Sequence, residues 1–324
     1  MKILITGGLG YIGSHIASLL GSNSIIIDNF SNSNLNYKKV LPQSIVYKKN
    51  INKKNLNNIF KKNKIDAVVH LAGLKSVYES TQKPLKYYEN NIAITLSLLN
   101  SMQNFNIKKL IFSSSAAVYS RNSTPPFVEN AILDPESAYG NTKLIIEKLI
   151  SDFCKSQKDF QAISLRYFNP VGANLKNNLF EKPKSKFPNL MTKIIESVIY
   201  KKKLIINGKD YSTIDGTCVR DFIHVSDLAN AHLKALKYLN KNNGLGHLPI
   251  NIGLGKGISV LNLVKIFEKT NKVRVPYEFS IRRSGDIPIS FANTNRSYKL
   301  LKCKHIFSYS DMCRDAYLSY LKNH

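Results

Sequence analysis

Short apolar runs alternate with longer amphipathic stretches through the first half of the chain. Lys2 to Thr6, Ser24 to Asp28, Ile45 to Tyr47, Ala67 to Ala72, Lys109 to Ser113 and Ala162 to Tyr167 predict strands. Runs such as Ala67-Val68-Val69 suit strands covered on both faces. Helical spacing is found from Tyr11 to about Leu20, Leu85 to Phe105 and Tyr139 to about Lys155. Strands alternating with helices predict an α/β fold built on a doubly wound parallel (Rossmann) sheet. Past Phe168 the alternation breaks. Asn174 to Pro188 reads as a loop, followed by a helix near Leu190 to Tyr200, a strand near Leu204 to Ile206 and a helix from Val225 to about Leu239. The expected division is a main unit over 1–168 and a smaller α/β lobe over 169–324, some of whose segments return to the main sheet.

The turn after the first strand reads Thr6-Gly7-Gly8-Leu9-Gly10-Tyr11-Ile12-Gly13. Strand, glycine loop and helix in that order match a dinucleotide-binding turn. Gly7 permits the tight bend, Gly10 lets the backbone approach a pyrophosphate, and Gly13 allows close helix–strand packing. Asp28 ends the second strand, where a carboxylate can accept ribose hydroxyls. An acid there favours NAD over NADP, whose 2′-phosphate it would repel.

Tyr139 and Lys143 lie four residues apart, on one face of a helix. An ammonium beside a phenol can lower its pKa from about 10 towards neutrality, which suits a base. Ser113-Ser114-Ser115 follows a buried strand, at the sheet end where open α/β folds bind ligands. Ser115 can hydrogen-bond the same substrate hydroxyl that Tyr139 deprotonates. Base, hydroxyl and dinucleotide turn together predict hydride chemistry on an alcohol.

Composition adds few constraints. The 324 residues are 43% hydrophobic, enough for a packed core. Cys154, Cys218, Cys303 and Cys313 lack metal-ligand spacing, so no metal is expected and the thiols read as reduced. The chain shows no leader pattern and no apolar run near the ~18 residues of a membrane span, which predicts a cytoplasmic protein without a membrane partner. The net charge of +26 is mostly lysine spread along the chain. Without a basic reader element it predicts solvated surface, not a nucleic-acid partner.

Further segments carry a resemblance. They are Asp28 to Ser33, Leu71 to Lys75, Tyr87-Tyr88-Glu89-Asn90-Asn91, Phe112 to Tyr119, Arg166 to Ala173, Pro188 to Met191, Asp215 to Asp221 and Arg282 to Asp286. With the glycine loop and Tyr139 to Lys143, they run in order over nearly the whole chain. The chain resembles the UDP-glucose 4-epimerase family of extended short-chain dehydrogenases/reductases. The resemblance implies NAD held by Tyr11, Ile12, Asp28, Asn29, Phe30, Ser31, Asn32, Ser33, Asn50, Ile51, Leu71, Ala72, Gly73, Leu74, Lys75, Asn90 and Phe168, with Ser115, Tyr139 and Lys143 at its reactive end. It implies a UDP-hexose held by Asn169, Asn189, Leu190, Ile205, Ile206, Asn207, Arg220, Arg283, Asp286 and Ser290. It also implies a homodimer through the helices near 85–105 and 139–155.

Three positions depart from the family pattern. Asn50 stands for a usual Asp and still accepts a hydrogen bond from adenine. Ser120 replaces a usual Gly, and Ser290 replaces a Tyr found in relatives of narrow specificity. The smaller Ser290 leaves room for an N-acetyl group at C2. The related 4,6-dehydratases carry Asp-Glu where this chain has Ala116-Ala117, which cannot transfer the protons that water loss requires. A non-catalytic NAD-binding scaffold would have no need of Tyr139, Lys143 and Ser115.

Overall fold

The central β-strands of the main sheet send alternate side chains into two separate cores, which is why their sequences read as apolar runs. In the computed structural model, which describes residues 1–33, 35–181, 189–283 and 286–323, the first half runs β1 (Ile3–Thr6), α1 (Tyr11–Leu20), β2 (Ser24–Asp28), α2 (Tyr37–Val40), β3 (Ile45–Lys48), α3 (Lys53–Lys62), β4 (Ala67–His70), α4 (Val77–Gln82), α5 (Pro84–Asn104), β5 (Lys109–Ser115), α6 (Ala138–Ser156) and β6 (Gln161–Tyr167). The second half runs β7 (Asn169–Val171), α7 (Leu190–Ile199), β8 (Leu204–Asn207), β9 (Val219–Arg220), β10 (Phe222–His224), α8 (Val225–Lys241), β11 (His247–Ile252), β12 (Ile258–Ser259), α9 (Val260–Asn271), β13 (Tyr277–Ser280), β14 (Ile289–Ser290), α10 (Asn295–Leu301) and α11 (Tyr309–Asn323). Residues 182–188 of the expected 174–188 loop, Pro188 among them, lie outside the described residues, as do Ser284 and Gly285.

The main sheet has the order β11-β6-β5-β4-β1-β2-β3, and every pairing in it is parallel. This is the doubly wound Rossmann arrangement, extended by β11 from the second half. Ile3, Ile5, Val69 and Ile111 face one core with Ile16 of α1 and Leu228 and Ala235 of α8. Leu4, Val68, Leu110 and Phe112 face the other with α3, α5 and α6. Strand order reverses at β1, which pairs with β2 on one side and β4 on the other. Such a switch point opens a crevice at the carboxyl ends of the strands.

The second-half lobe has its own core. Met191 and Ile194 of α7, Leu204 and Ile206 of β8, Phe267 of α9 and Met312 of α11 meet there. Several elements had no visible period in the sequence. In α3 only Leu56, Ile59 and Phe60 of ten residues are apolar, yet their spacing buries all three. The strands β9, β12 and β14 are two residues each, too short to show alternation.

Four histidines, His15, His70, His224 and His232, are buried in this fold. Burial pushes His15 and His232 down to about 4 and His70 to about 3. His70 is enclosed between the hydroxyls of Thr6 (2.7 Å) and Thr95 (3.0 Å). Below the ordinary histidine value of 6.5, the unfolded chain takes up protons that the fold refuses. The contribution is therefore absent above that pH and destabilising below it. The drop in melting temperature between pH 7 and pH 5 should shrink in His70→Asn relative to wild type. Equal drops, measured by circular dichroism, would refute this.

Candidate active site

The crevice is lined first by the glycine turn. Gly10 caps α1 without a side-chain hydrogen bond, so the first amides of the helix have no intrahelical acceptor and point outward. A Cβ on Gly10 would meet only the Gly7 carbonyl, at 3.3 Å. A Cβ on Gly13 would lie 2.5 Å from that same oxygen and 2.7 Å from Gly8 Cα. One glycine thus keeps the outer face of the turn open and the other lets helix and turn touch. An open turn with free amides at a helix N-terminus fits a diphosphate.

Asp28 stands beside this turn. One carboxylate oxygen accepts Leu9 N–H at 3.0 Å and the other Phe30 N–H at 2.7 Å. Each oxygen keeps a lone pair for a further donor. Burial raises the Asp28 pKa, with the two amides opposing. Phe30 adopts φ +62°, a left-handed conformation costly for a large side chain. Asn29 donates to Asn50 at 3.0 Å, and Ile51 packs against the α3–α5 core. Ser33 donates to Leu9 O at 2.7 Å, tying the 28–33 segment to the glycine turn. Tyr11 turns its hydroxyl to Gly172 O at 2.7 Å.

Asn90 is exposed on α5. The inward position belongs to Asn91. Its side chain bonds Leu74 N–H (2.8 Å), Leu74 O (3.1 Å) and Thr142 Oγ1 (3.1 Å), joining the 71–75 loop to α6. The signal was available in the sequence: Tyr87, Asn91, Thr95, Leu98 and Met102 form the buried stripe of α5, and Asn90 is one residue off it.

Tyr139, Ser115 and Lys143 converge at the carboxyl end of β5. Ser137 caps α6 by accepting Gly140 N–H at 3.1 Å, which places Tyr139 in the first turn. The Ser115 hydroxyl beside Tyr139 favours the phenolate, but burial outweighs it and raises the phenol pKa. The ammonium does not supply the expected downward shift. Lys143 Nζ donates to Ser113 O at 2.6 Å, lies 4.8 Å from the centroid of Phe112 and stays 5.7 Å from that of Tyr139. Burial pushes Lys143 itself down to about 8, against the pull of Glu147.

A second group gathers in the lobe. Ser290 pairs with Arg220 across β14 and β9. Asp286 faces two guanidiniums, Arg283 at 2.7 Å and Arg220 at 3.5 Å. Asp221 is not part of this pairing. It accepts the amides of Leu254, Gly255 and Ala292, and burial raises it to about 6. Asn207 ends β8 and Asn169 lies in β7. Ile205 is exposed, whereas Ile206 is in the lobe core and offers no side chain to a ligand. Asn189 caps α7 and donates to Glu181, which is paired with Lys75 at 3.0 Å. Leu190 packs on the lobe core and Phe168 on a small cluster with Val118 and Phe127. Ser120 replaces its glycine without a left-handed backbone and accepts Asn122 N–H. Among the described residues no His/Cys/Asp/Glu group could hold a metal.

Residues 3–253 match the NAD dependent epimerase/dehydratase family. The chain belongs to that family. Within it, the chain lies among the UDP-glucose 4-epimerases and is an isomerase. It is 44% identical to the UDP-glucose 4-epimerase of Dictyostelium discoideum, over 98% of this chain and 94% of that protein. The crystal structure of the Stenotrophomonas maltophila enzyme, with bound NAD and formylated UDP-arabinopyranose, superimposes with a TM-score of 0.95 at 37% identity, covering 99% and 98% of the two chains. The Bifidobacterium longum enzyme with NAD+ and UDP gives 0.94 at 35%, covering 100% and 99%. Gly13 is a direct test of the turn geometry of this epimerase. Gly13→Ala should cost about 1–3 kcal/mol by overpacking. Urea unfolding with an unchanged midpoint would refute that contact.

Proposed function

We propose that the chain inverts C4 of UDP-glucose and UDP-galactose, with Tyr139 as proton acceptor, Ser115 as its hydrogen-bonding partner and Lys143 as the cation that organises both. The supporting observation is the junction of Ser115 with Tyr139 beside the Lys143–Ser113 bond, at the sheet end next to the glycine turn. Bound NAD would supply the hydride acceptor and donor for C4 and a cationic ring in the cleft. Tyr139 takes the proton of the 4-hydroxyl, Ser115 hydrogen-bonds the same oxygen, and the proton returns by the same route after the sugar has presented its other face. The open amides of α1 and the Asp28 carboxylate hold the dinucleotide, with Asn91 steadying the 71–75 loop.

Arg220 and Arg283 hold the diphosphate of the substrate while the sugar turns. A guanidinium fork matches phosphate oxygens, and Asp286 keeps both forks oriented until the substrate arrives. Ala116 and Ala117, in the turn after β5, offer no acid or base for dehydration. A cytoplasmic homodimer completes the reading. Its support is α5, which exposes Leu85 and Leu96. In the described residues no helix is long and apolar enough to cross a membrane.

Ser290 widens the reading to UDP-N-acetylglucosamine and its galacto epimer, since Ser in place of Tyr frees more volume than an acetamido group needs. Purified protein with NAD should convert UDP-galactose and UDP-N-acetylgalactosamine in parallel NMR assays. Ser290→Tyr should lose the second activity selectively, and equal loss of both would sink the pocket argument. Tyr139→Phe should lower kcat by about 10²–10⁴ while UDP still binds. Turnover within a few-fold of wild type would remove Tyr139 from the chemistry.

A further inference from the structure

We infer that Glu147, behind the site, is a positioning residue: through Ser114 it pins the end of β5 to α6, and its charge sets the surroundings of Lys143. The inference deepens the reading above and rests on it.

The three serines that end β5 engage different partners. Ser113 gives its carbonyl to Lys143, and the Ser115 hydroxyl accepts Ala117 N–H at 3.1 Å and lies close enough to Tyr139 to favour its phenolate. Ser114, with the parity of Leu110 and Phe112, points into the α6 layer and donates to Glu147 Oε1 at 2.5 Å. On α6, Tyr139, Lys143 and Glu147 recur every four residues and share one stripe. One strand end and one helix stripe are therefore joined by two bonds, Lys143 to Ser113 and Ser114 to Glu147, with Tyr139 beside Ser115 at the next position.

Glu147 is itself held. Arg166 of β6 forks onto both its oxygens, at 3.0 and 2.6 Å, and the two side chains are 2% and 4% exposed. The remaining Arg166 donor reaches Glu129 O at 2.9 Å and Tyr119 Oη at 3.1 Å, and Tyr119 donates to Asn251 at 2.6 Å. A buried ion pair adds little net stability, because desolvating two charges offsets their attraction. What this pair adds is placement. The titratable groups around it are Tyr139 and Lys143 on the same helix, His70 on β4 facing Lys143, Tyr167 on β6 facing Tyr139, Tyr119 and Glu129 beside Arg166, and His247 on β11 facing Glu147 and Arg166. Of these neighbours Glu147 is the anion that draws Lys143 upward, against its burial.

Two variants separate the two parts of the role. Glu147→Gln keeps the shape and removes the charge, so the Lys143 ammonium should titrate lower by roughly half a pH unit or more. NMR of 13Cε-labelled lysine, assigned with Lys143→Met, reads this directly. Ser114→Ala leaves the ion pair intact and cuts the strand anchor. It should lower kcat by about tenfold with KM within about twofold, and leave the Lys143 titration in place. An unmoved Lys143 midpoint in Glu147→Gln, or wild-type kcat in Ser114→Ala, would overturn the inference. Should Glu147→Gln fail to fold, Ser114→Ala still decides. A wild-type protein that does not turn over UDP-galactose would refute the function proposed above, while the Lys143 titration would still decide the part of Glu147.

Discussion

Alternation along a β-strand is the constraint on which this site depends. Successive side chains of β5 must point to opposite faces, so three consecutive serines cannot all serve one ligand. The structure uses each one differently: a carbonyl for Lys143, a hydroxyl for Glu147 and a hydroxyl that accepts Ala117 N–H beside Tyr139. The strand end is thereby fixed to one stripe of α6 by the bonds to Lys143 and Glu147. Rigid placement matters more here than the ordinary acidity of any one group, since burial alone would raise the phenol and lower the ammonium.

The cofactor end follows from sheet topology. Because β1 is flanked by β2 and β4, the segments after these three strands meet at one crevice. The glycine turn, Asp28 and the 71–75 loop are brought together by strand order, not by nearness in sequence. Thr6 and His70 reinforce the meeting point. The Thr6 hydroxyl accepts the amides of Leu71 and Ala72 while bonded to His70, so β1 and β4 are joined where the crevice opens.

The large positive charge has a simple distribution. Among the described residues Lys143 is the one lysine counted as buried, and the Lys201-Lys202-Lys203 run is exposed. The exception lies at the site and the other described lysines stay at least partly exposed, as expected when burying an unpaired ammonium is costly. In the lobe, cation and anion are arranged differently. Asp286 holds Arg220 and Arg283 close together, offsetting the repulsion of two like charges.

The sequence by itself determined the alternating α/β pattern, the glycine turn, the helical Tyr139–Lys143 pair and the chemistry these permit, because each depends on local spacing of 2 or 3.6 residues. The same local rule could have separated Asn91 from Asn90, since only Asn91 falls on the buried stripe of α5. Other features were beyond its reach. Arg166 meets Glu147 across 19 positions, Tyr119 meets Asn251 across 132, and Asp221 gathers amides from Leu254, Gly255 and Ala292. The inward turn of Ile206 and the direction of the Lys143 ammonium likewise depend on what is packed against them. Tertiary structure decided these because a hydrogen bond or ion pair between distant segments leaves no period in the chain; it exists only once strand order and helix packing have brought the partners together.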